Sequence, residues 1–236
     1  MCAKRLIPAA CLLVFLPVVQ AAADWSGDGE FGLVIASGNT DTENINARFS
    51  IARETEKWKH EIRLGALGAS SAGDTTAERY EFAGQSNYKL TERSYLFGAL
   101  RYEDDRFSGF EYQGTLTGGY GRIFIDNGVT TLNAEAGLGY RLFEPVDTGD
   151  SEGDMVARGL LNYSRLLTET TTFANRFLVE AGADNTFYEN EASLAAQVVG
   201  ALAMKLAFIW RHNSDVPAGT KKTDKLTIVS LVYSFE

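Results

Sequence analysis

From residue 24 onward the chain repeats one local pattern, in which apolar and polar residues alternate over short stretches separated by clusters of Gly, Asn, Asp, Ser and Thr. Side chains of an extended strand point alternately to its two faces, so this pattern predicts strands with one apolar and one polar face. The clearest stretch sets Leu132, Ala134, Ala136, Leu138 and Tyr140 against Asn133, Glu135, Gly137, Gly139 and Arg141. The final stretch, Asp224–Glu236, places Val229, Leu231, Tyr233 and Phe235 on one wholly apolar face.

Taken in order, the same reading predicts about twelve strands. The first has Phe31, Leu33 and Ile35 on its apolar side, and the turn Ser37-Gly38-Asn39-Thr40 follows it. The fifth, Tyr95 to Glu103, breaks the alternation, because Tyr95, Phe97 and Ala99 favour one phase while Leu100 and Tyr102 favour the other. A β-bulge there would reconcile them. Short reversals are expected at Glu54, Thr91, Asp126, Thr168 and Gly200, and longer polar loops between them, including Ser70–Ala77, Asp104–Gly109, Glu144–Asp154 and Asn213–Lys222. Such a strict alternation of short and long connections belongs to an up-and-down barrel, in which closure leaves no unpaired edge. The expected fold is therefore all-β, a transmembrane antiparallel up-and-down β-barrel of about 12 strands, with its apolar side toward lipid and its short turns toward the periplasm.

The N-terminus changes the picture of where this barrel is used. Lys4 and Arg5 precede an apolar run from Leu6 to Val19 that ends in Ala21-Ala22-Ala23. That run is short for a membrane helix and reads as a secretory signal peptide, residues 1–23, with the barrel occupying 24–236. Both cysteines, Cys2 and Cys11, fall in the leader, so residues 24–236 can form neither a disulfide nor a thiolate metal site. Without residues 1–23 the formal net charge moves from −9 to −11, which disfavours nucleic acid as a partner.

The polar faces collect charges that would meet inside a barrel. Candidate lumen charges are Arg48, Arg63, Arg79, Glu81, Glu135, Arg141, Arg158, Arg176, Glu180 and Arg211, with Lys59, Glu61 and Lys205 beside them. They would either fill the lumen by pairing with one another or line a narrow selective pore. His60 and His212 should lie at opposite ends, so no two-histidine metal site, no cofactor and no catalytic residue are expected. The one enzymatic alternative is a hydrolase site at the outer rim, in which His212 would act with Ser214 and Asp215. Asp41, Glu43, Asp74, Glu78, Asp104, Asp105, Glu144, Asp147, Asp150, Glu152 and Asp154 would form an acidic outer rim.

Several segments carry a family resemblance: Ser37-Gly-Asn-Thr40, Arg101-Tyr-Glu-Asp-Asp-Arg-Phe107, Asn213-Ser-Asp-Val-Pro217, and Lys222-Thr-Asp224 leading to Ser230-Leu-Val-Tyr-Ser-Phe235. Together they resemble the YdiY-like proteins, labelled salt-induced or acid-inducible outer-membrane proteins of unknown function. The alternating C-terminal strand Val229, Leu231, Tyr233, Phe235 is similar to the insertion signal of outer-membrane barrels, although Glu236 follows the phenylalanine. The resemblance implies a Gram-negative outer-membrane location and a stress link, and it transfers no catalytic residue and no ligand; the absence of a defined triad in the sequence gives a non-enzymatic structural or narrow-pore role as the expectation. For such a barrel the expected partners are outer-membrane lipid and lipopolysaccharide, with the barrel-assembly machinery during insertion of a monomer.

Overall fold

The computed structural model describes residues 25–36, 42–71, 74–105 and 108–236. Within them the chain is a closed antiparallel barrel of twelve strands in sequential order. These are β1 (Trp25–Ala36), β2 (Thr42–Glu54), β3 (Trp58–Ser71), β4 (Asp74–Thr91), β5 (Ser94–Asp105), β6 (Phe110–Asp126), β7 (Thr130–Pro145), β8 (Glu152–Thr168), β9 (Thr171–Ala181), β10 (Thr186–Val199), β11 (Leu202–Asn213) and β12 (Thr223–Phe235). The expected signal peptide, residues 1–23, and the turn at Ser37–Thr40 lie outside the described residues.

One end of the barrel, the turn end, carries the short connections 55–57, 92–93, 127–129, 169–170 and 200–201, together with the start of β1 and the finish of β12. The reversal at Asn127-Gly128 shows why these residues stand there. Gly128 takes φ 77°, which costs a residue without Cβ nothing, and Asn127 Oδ1 accepts the backbone N–H groups of Val129 and Thr130. At the opposite, loop end two connections are shorter than the sequence suggests. β3 runs to Ser71 and β4 starts at Asp74, because the small residues Ala69 and Ser70 continue the ladder opposite Ala77 and Thr75. Likewise β7 extends through Pro145 and β8 begins at Glu152.

The ring closes where β12 pairs with β1 over only the six positions Gly27↔Phe235 to Gly32↔Ser230. Phe235 points outward here, lies over Gly27 and stacks on Phe49 of β2 at 6.3 Å between ring centroids. A Cβ at Gly27 would collide with that ring, so the last aromatic of the chain is seated by the absence of a side chain on the first strand.

The alternation of β5 is continuous, with no bulge in its middle. Tyr95, Phe97, Ala99, Arg101, Glu103 and Asp105 all face inward while Leu96, Leu100 and Tyr102 face out, and the register shifts sit only near the strand's two ends. The cause lies on other strands. Gly121 of β6 and Gly137 of β7 leave the inner space that the Tyr95 and Phe97 rings fill, so these aromatics pack the lumen.

Burial in this barrel is inverted. The outward Leu138 and Leu116 are 65% and 63% exposed, whereas the inward Arg141 and Glu180 are 1% and 2% exposed. Aromatics gather on the outer face at both ends: Trp25, Trp58, Tyr88, Tyr120 and Tyr233 toward the turns, and Tyr80, Tyr102, Tyr140, Tyr188 and Trp210 toward the loops. No described helix is long and apolar enough to cross a membrane, a criterion silent about strands.

Candidate functional site

Alternation on twelve strands sends every second side chain into the lumen, and all ten candidate charges project there. The structure sorts them into a packed loop-end half and a more open turn-end half.

Nearest the loops, Arg141 grips Asp154 through Nε and Nη2 at 3.2 and 3.0 Å and donates to the backbone carbonyl of Asn185 at 2.6 Å. A Cβ on Gly182 would strike this pair, so the 182–185 connection passes close above it because Gly182 has no side chain. Arg79 meets Asp105 at 2.6 Å. Asp105 and Asp154 are therefore lumen residues and not part of an exposed acidic rim: strand alternation turns both inward beside buried guanidiniums. Asp104 faces the opposite way from Asp105, as an extended pair must.

The next layer is the most heavily paired. Arg211 forks onto Glu103 and also donates to Glu189 at 2.9 Å, while Arg101 donates to Glu103 at 3.1 Å and to Glu180 at 2.8 Å. The Phe187 ring meets both guanidiniums, with centroid distances of 4.4 and 5.1 Å. Charge-assisted bonds and cation–π contact act together in a largely buried layer. On the neighbouring wall Glu135 accepts from Arg158 at 2.6 Å, Gln85 at 2.7 Å and the Tyr95 hydroxyl at 3.0 Å, and Arg158 lies 4.6 Å above Phe97.

Toward the turns the packing loosens. Arg48 donates to both oxygens of Glu191, and Lys205 bridges Glu191 and Glu30 at 3.0 Å each. Here a cavity of about 860 Å³ opens at the turn end, rimmed by Glu169, Thr170, Gly200 and Ala201. A far smaller cavity of about 20 Å³ lies beyond it along the lumen. Arg63, Glu81 and Arg176 line both, so these three side chains form the floor between them.

Sequence reasoning placed its charges on the correct face but missed partners. The aromatics of β5 obscure its phase, so Arg101 and Glu103 carry no assignment from sequence, and Asp105, expected on the acidic rim, faces the lumen. Glu30, Glu189 and Glu191, which alternation also turns inward on β1 and β10, supply the missing carboxylates. The phase of Leu96, Leu100 and Tyr102 was the signal that would have recovered Arg101 and Glu103.

The histidines stand outside this lumen. His60 stacks on Trp58 near the turns, at 5.5 Å, and His212 stacks on Trp210 near the loops, at 5.8 Å. His212 Nδ1 is paired with Thr223 Oγ1 at 2.8 Å, whereas Ser214 Oγ donates to Asn185 Oδ1 and accepts from the Thr186 amide. The arrangement imagined for a hydrolase is not brought together. Among the described residues no group of His, Cys, Asp or Glu has the geometry of a metal site.

Comparison with known proteins agrees with this architecture. The YdiY protein of Escherichia coli (strain K12) is 29% identical over 218 residues, covering 91% of this chain and 85% of that protein, and its own name assigns no function. Among solved structures, the translocator domain of autotransporter NalP from Neisseria meningitidis superposes with a TM-score of 0.52 at 12% identity, covering 92% of this chain and 90% of that one. The NanC porin gives 0.51 at 10% identity, covering 89% and 97%. Both likenesses are of fold. The family described as "Protein of unknown function, DUF481" matches residues 29–235, nearly the whole described barrel, and the chain belongs to that family.

Proposed function

We propose that this protein is a monomeric, non-enzymatic barrel of the Gram-negative outer membrane, with its short turns toward the periplasm. Its lumen is shut in the outer half by paired charges and open to the periplasm as a polar vestibule. The observation that carries the membrane placement is the inverted burial: leucines face out between two aromatic zones, and arginines face in. A soluble barrel would show the reverse, whereas a hydrocarbon surround rewards this arrangement and aromatic rings favour its two interfaces. Membrane lipid and lipopolysaccharide are then the outer surroundings, and the Val229, Leu231, Tyr233, Phe235 face serves the assembly machinery. A link to envelope stress enters through the family resemblance.

The closed half is tested by single-channel recording on refolded residues 24–236 in planar bilayers. Barrels that migrate in the folded, heat-modifiable form should give no steady steps, and large salt-dependent steps would overturn the closure. Narrow conduction is the second reading, favoured by the small cavity that continues the vestibule past Arg63, Glu81 and Arg176.

Membrane placement makes a separate prediction. Leu138→Arg, at mid-strand on the outer face, should lower stability in lipid vesicles by about 2–4 kcal/mol, and Val198→Arg, near the turn-end boundary, by about 0–1 kcal/mol. Denaturant unfolding of both variants decides, and equal costs would contradict a bilayer whose depth matters.

A further inference from the structure

The floor of the vestibule has a composition that the rest of the lumen lacks. Glu103, Glu135, Glu180, Glu189 and Glu191 each hold at least one guanidinium or ammonium partner within 3.1 Å. Glu81, also inward-facing, has no hydrogen-bond or ion-pair partner among the described residues. The guanidiniums of Arg48, Arg101, Arg176 and Arg211 are nonetheless within electrostatic reach of it. Beside it Arg63 touches only Glu61 of its own strand, through Nε at 3.2 Å, and Arg176 touches only Glu189, through Nη1 at 2.7 Å. Each arginine thus keeps two nitrogens without a protein partner among the described residues. These donors and the uncommitted carboxylate meet where the vestibule narrows.

We propose that this floor binds a zwitterionic solute, one carrying both a carboxylate and an ammonium group, entering from the vestibule. The charge pattern excludes simpler choices. An anion drawn to Arg63 and Arg176 would meet the Glu81 carboxylate, and a cation drawn to Glu81 would meet two guanidiniums. A zwitterion satisfies all three, since its carboxylate takes the free Arg63 and Arg176 N–H groups while its ammonium takes Glu81. A cavity of about 860 Å³ falls in the size class of ligand pockets and admits a molecule as long as a short peptide.

The site rests on the vestibule described above, but it does not depend on which membrane face the vestibule opens to. Binding is therefore measured on refolded residues 24–236 in detergent micelles, where both ends are accessible, so that a failure here is distinct from a wrong orientation or an open pore. The probes are glycylglycine as the zwitterion, with acetate and methylammonium each carrying one of its charges. Saturation-transfer NMR should show saturable binding of glycylglycine at least tenfold tighter than either control. Glu81→Gln should weaken glycylglycine at least tenfold without weakening acetate, and Arg63→Gln should weaken both. Acetate binding as tightly as glycylglycine would reduce the floor to an anion site, and no saturable binding of any probe to the folded barrel would remove it altogether. Should Glu81→Gln fail to refold, the ranking of the three probes on the unaltered barrel and the Arg63→Gln variant still decide.

Discussion

Arg211→Ala is expected to destabilise the barrel by about 3–5 kcal/mol, as breaking a buried ion pair from one side does elsewhere. Arg211 is the node of the lumen: it holds Glu103 by a fork, Glu189 at 2.9 Å, and one face of Phe187. Its removal leaves Glu103 with Arg101 and Glu189 with Arg176, each carboxylate losing one of two cations in a largely buried layer. The loss should exceed that from Lys59→Ala, whose partner Glu54 is half exposed and also held by Lys89, by several fold. Denaturant unfolding in micelles checks the ranking, and planar-bilayer recording on Arg211→Ala should show brief openings absent from the parent barrel. A neutral Arg211→Ala variant would mean that the network fills the lumen without holding it.

The second large effect belongs to the seam. Gly27→Val places branched carbon where the Phe235 ring and the backbone carbonyl of Ser50 already stand, at the shortest strand pairing in the ring. The remaining pairings run to eleven or more positions, so the six of β1 with β12 have least to spare. Gly27→Val should abolish the heat-modifiable folded band, while Phe235→Ala, which removes a ring without adding a clash, should lower the folding yield and leave a closed barrel. A folded band at full yield from Gly27→Val would show that β1 and β12 close without Phe235 in its seat.

These two positions also show what could be read in advance. Arg211 was assignable to the lumen because Leu206, Phe208 and Trp210 fix the phase of β11, a local signal. Its partner Glu103 lies 108 residues away, and no spacing rule connects them. The same division explains β5. Its two inward rings read as a broken pattern because the glycines that make room for them, Gly121 and Gly137, are on strands not yet formed when β5 is read alone. Alternation specifies the face of a residue, whereas barrel closure specifies its neighbour. Asp105 and Asp154 were misplaced for a related reason. Acidic residues at strand ends resemble loop residues until a guanidinium such as that of Arg79 or Arg141 is found opposite them.

The vestibule was legible only as a polar inner surface. Its emptiness depends on small inward residues toward the turns, including Ser193, Ala195, Ala174 and Ser50, set against the bulky Phe187 and Ile209 toward the other half. Size, and not polarity, separates the open half from the closed one.

Sided labelling tests this asymmetry most directly. Residues 24–236 contain no cysteine, so Ser193→Cys introduces a single thiol on the vestibule wall and Asp215→Cys a control on the exposed loop end. A membrane-impermeant thiol reagent added to intact cells should label Asp215→Cys and spare Ser193→Cys, and both should react once the reagent reaches the periplasm. Labelling of Ser193→Cys from outside at the rate of Asp215→Cys would contradict a lumen closed in its outer half.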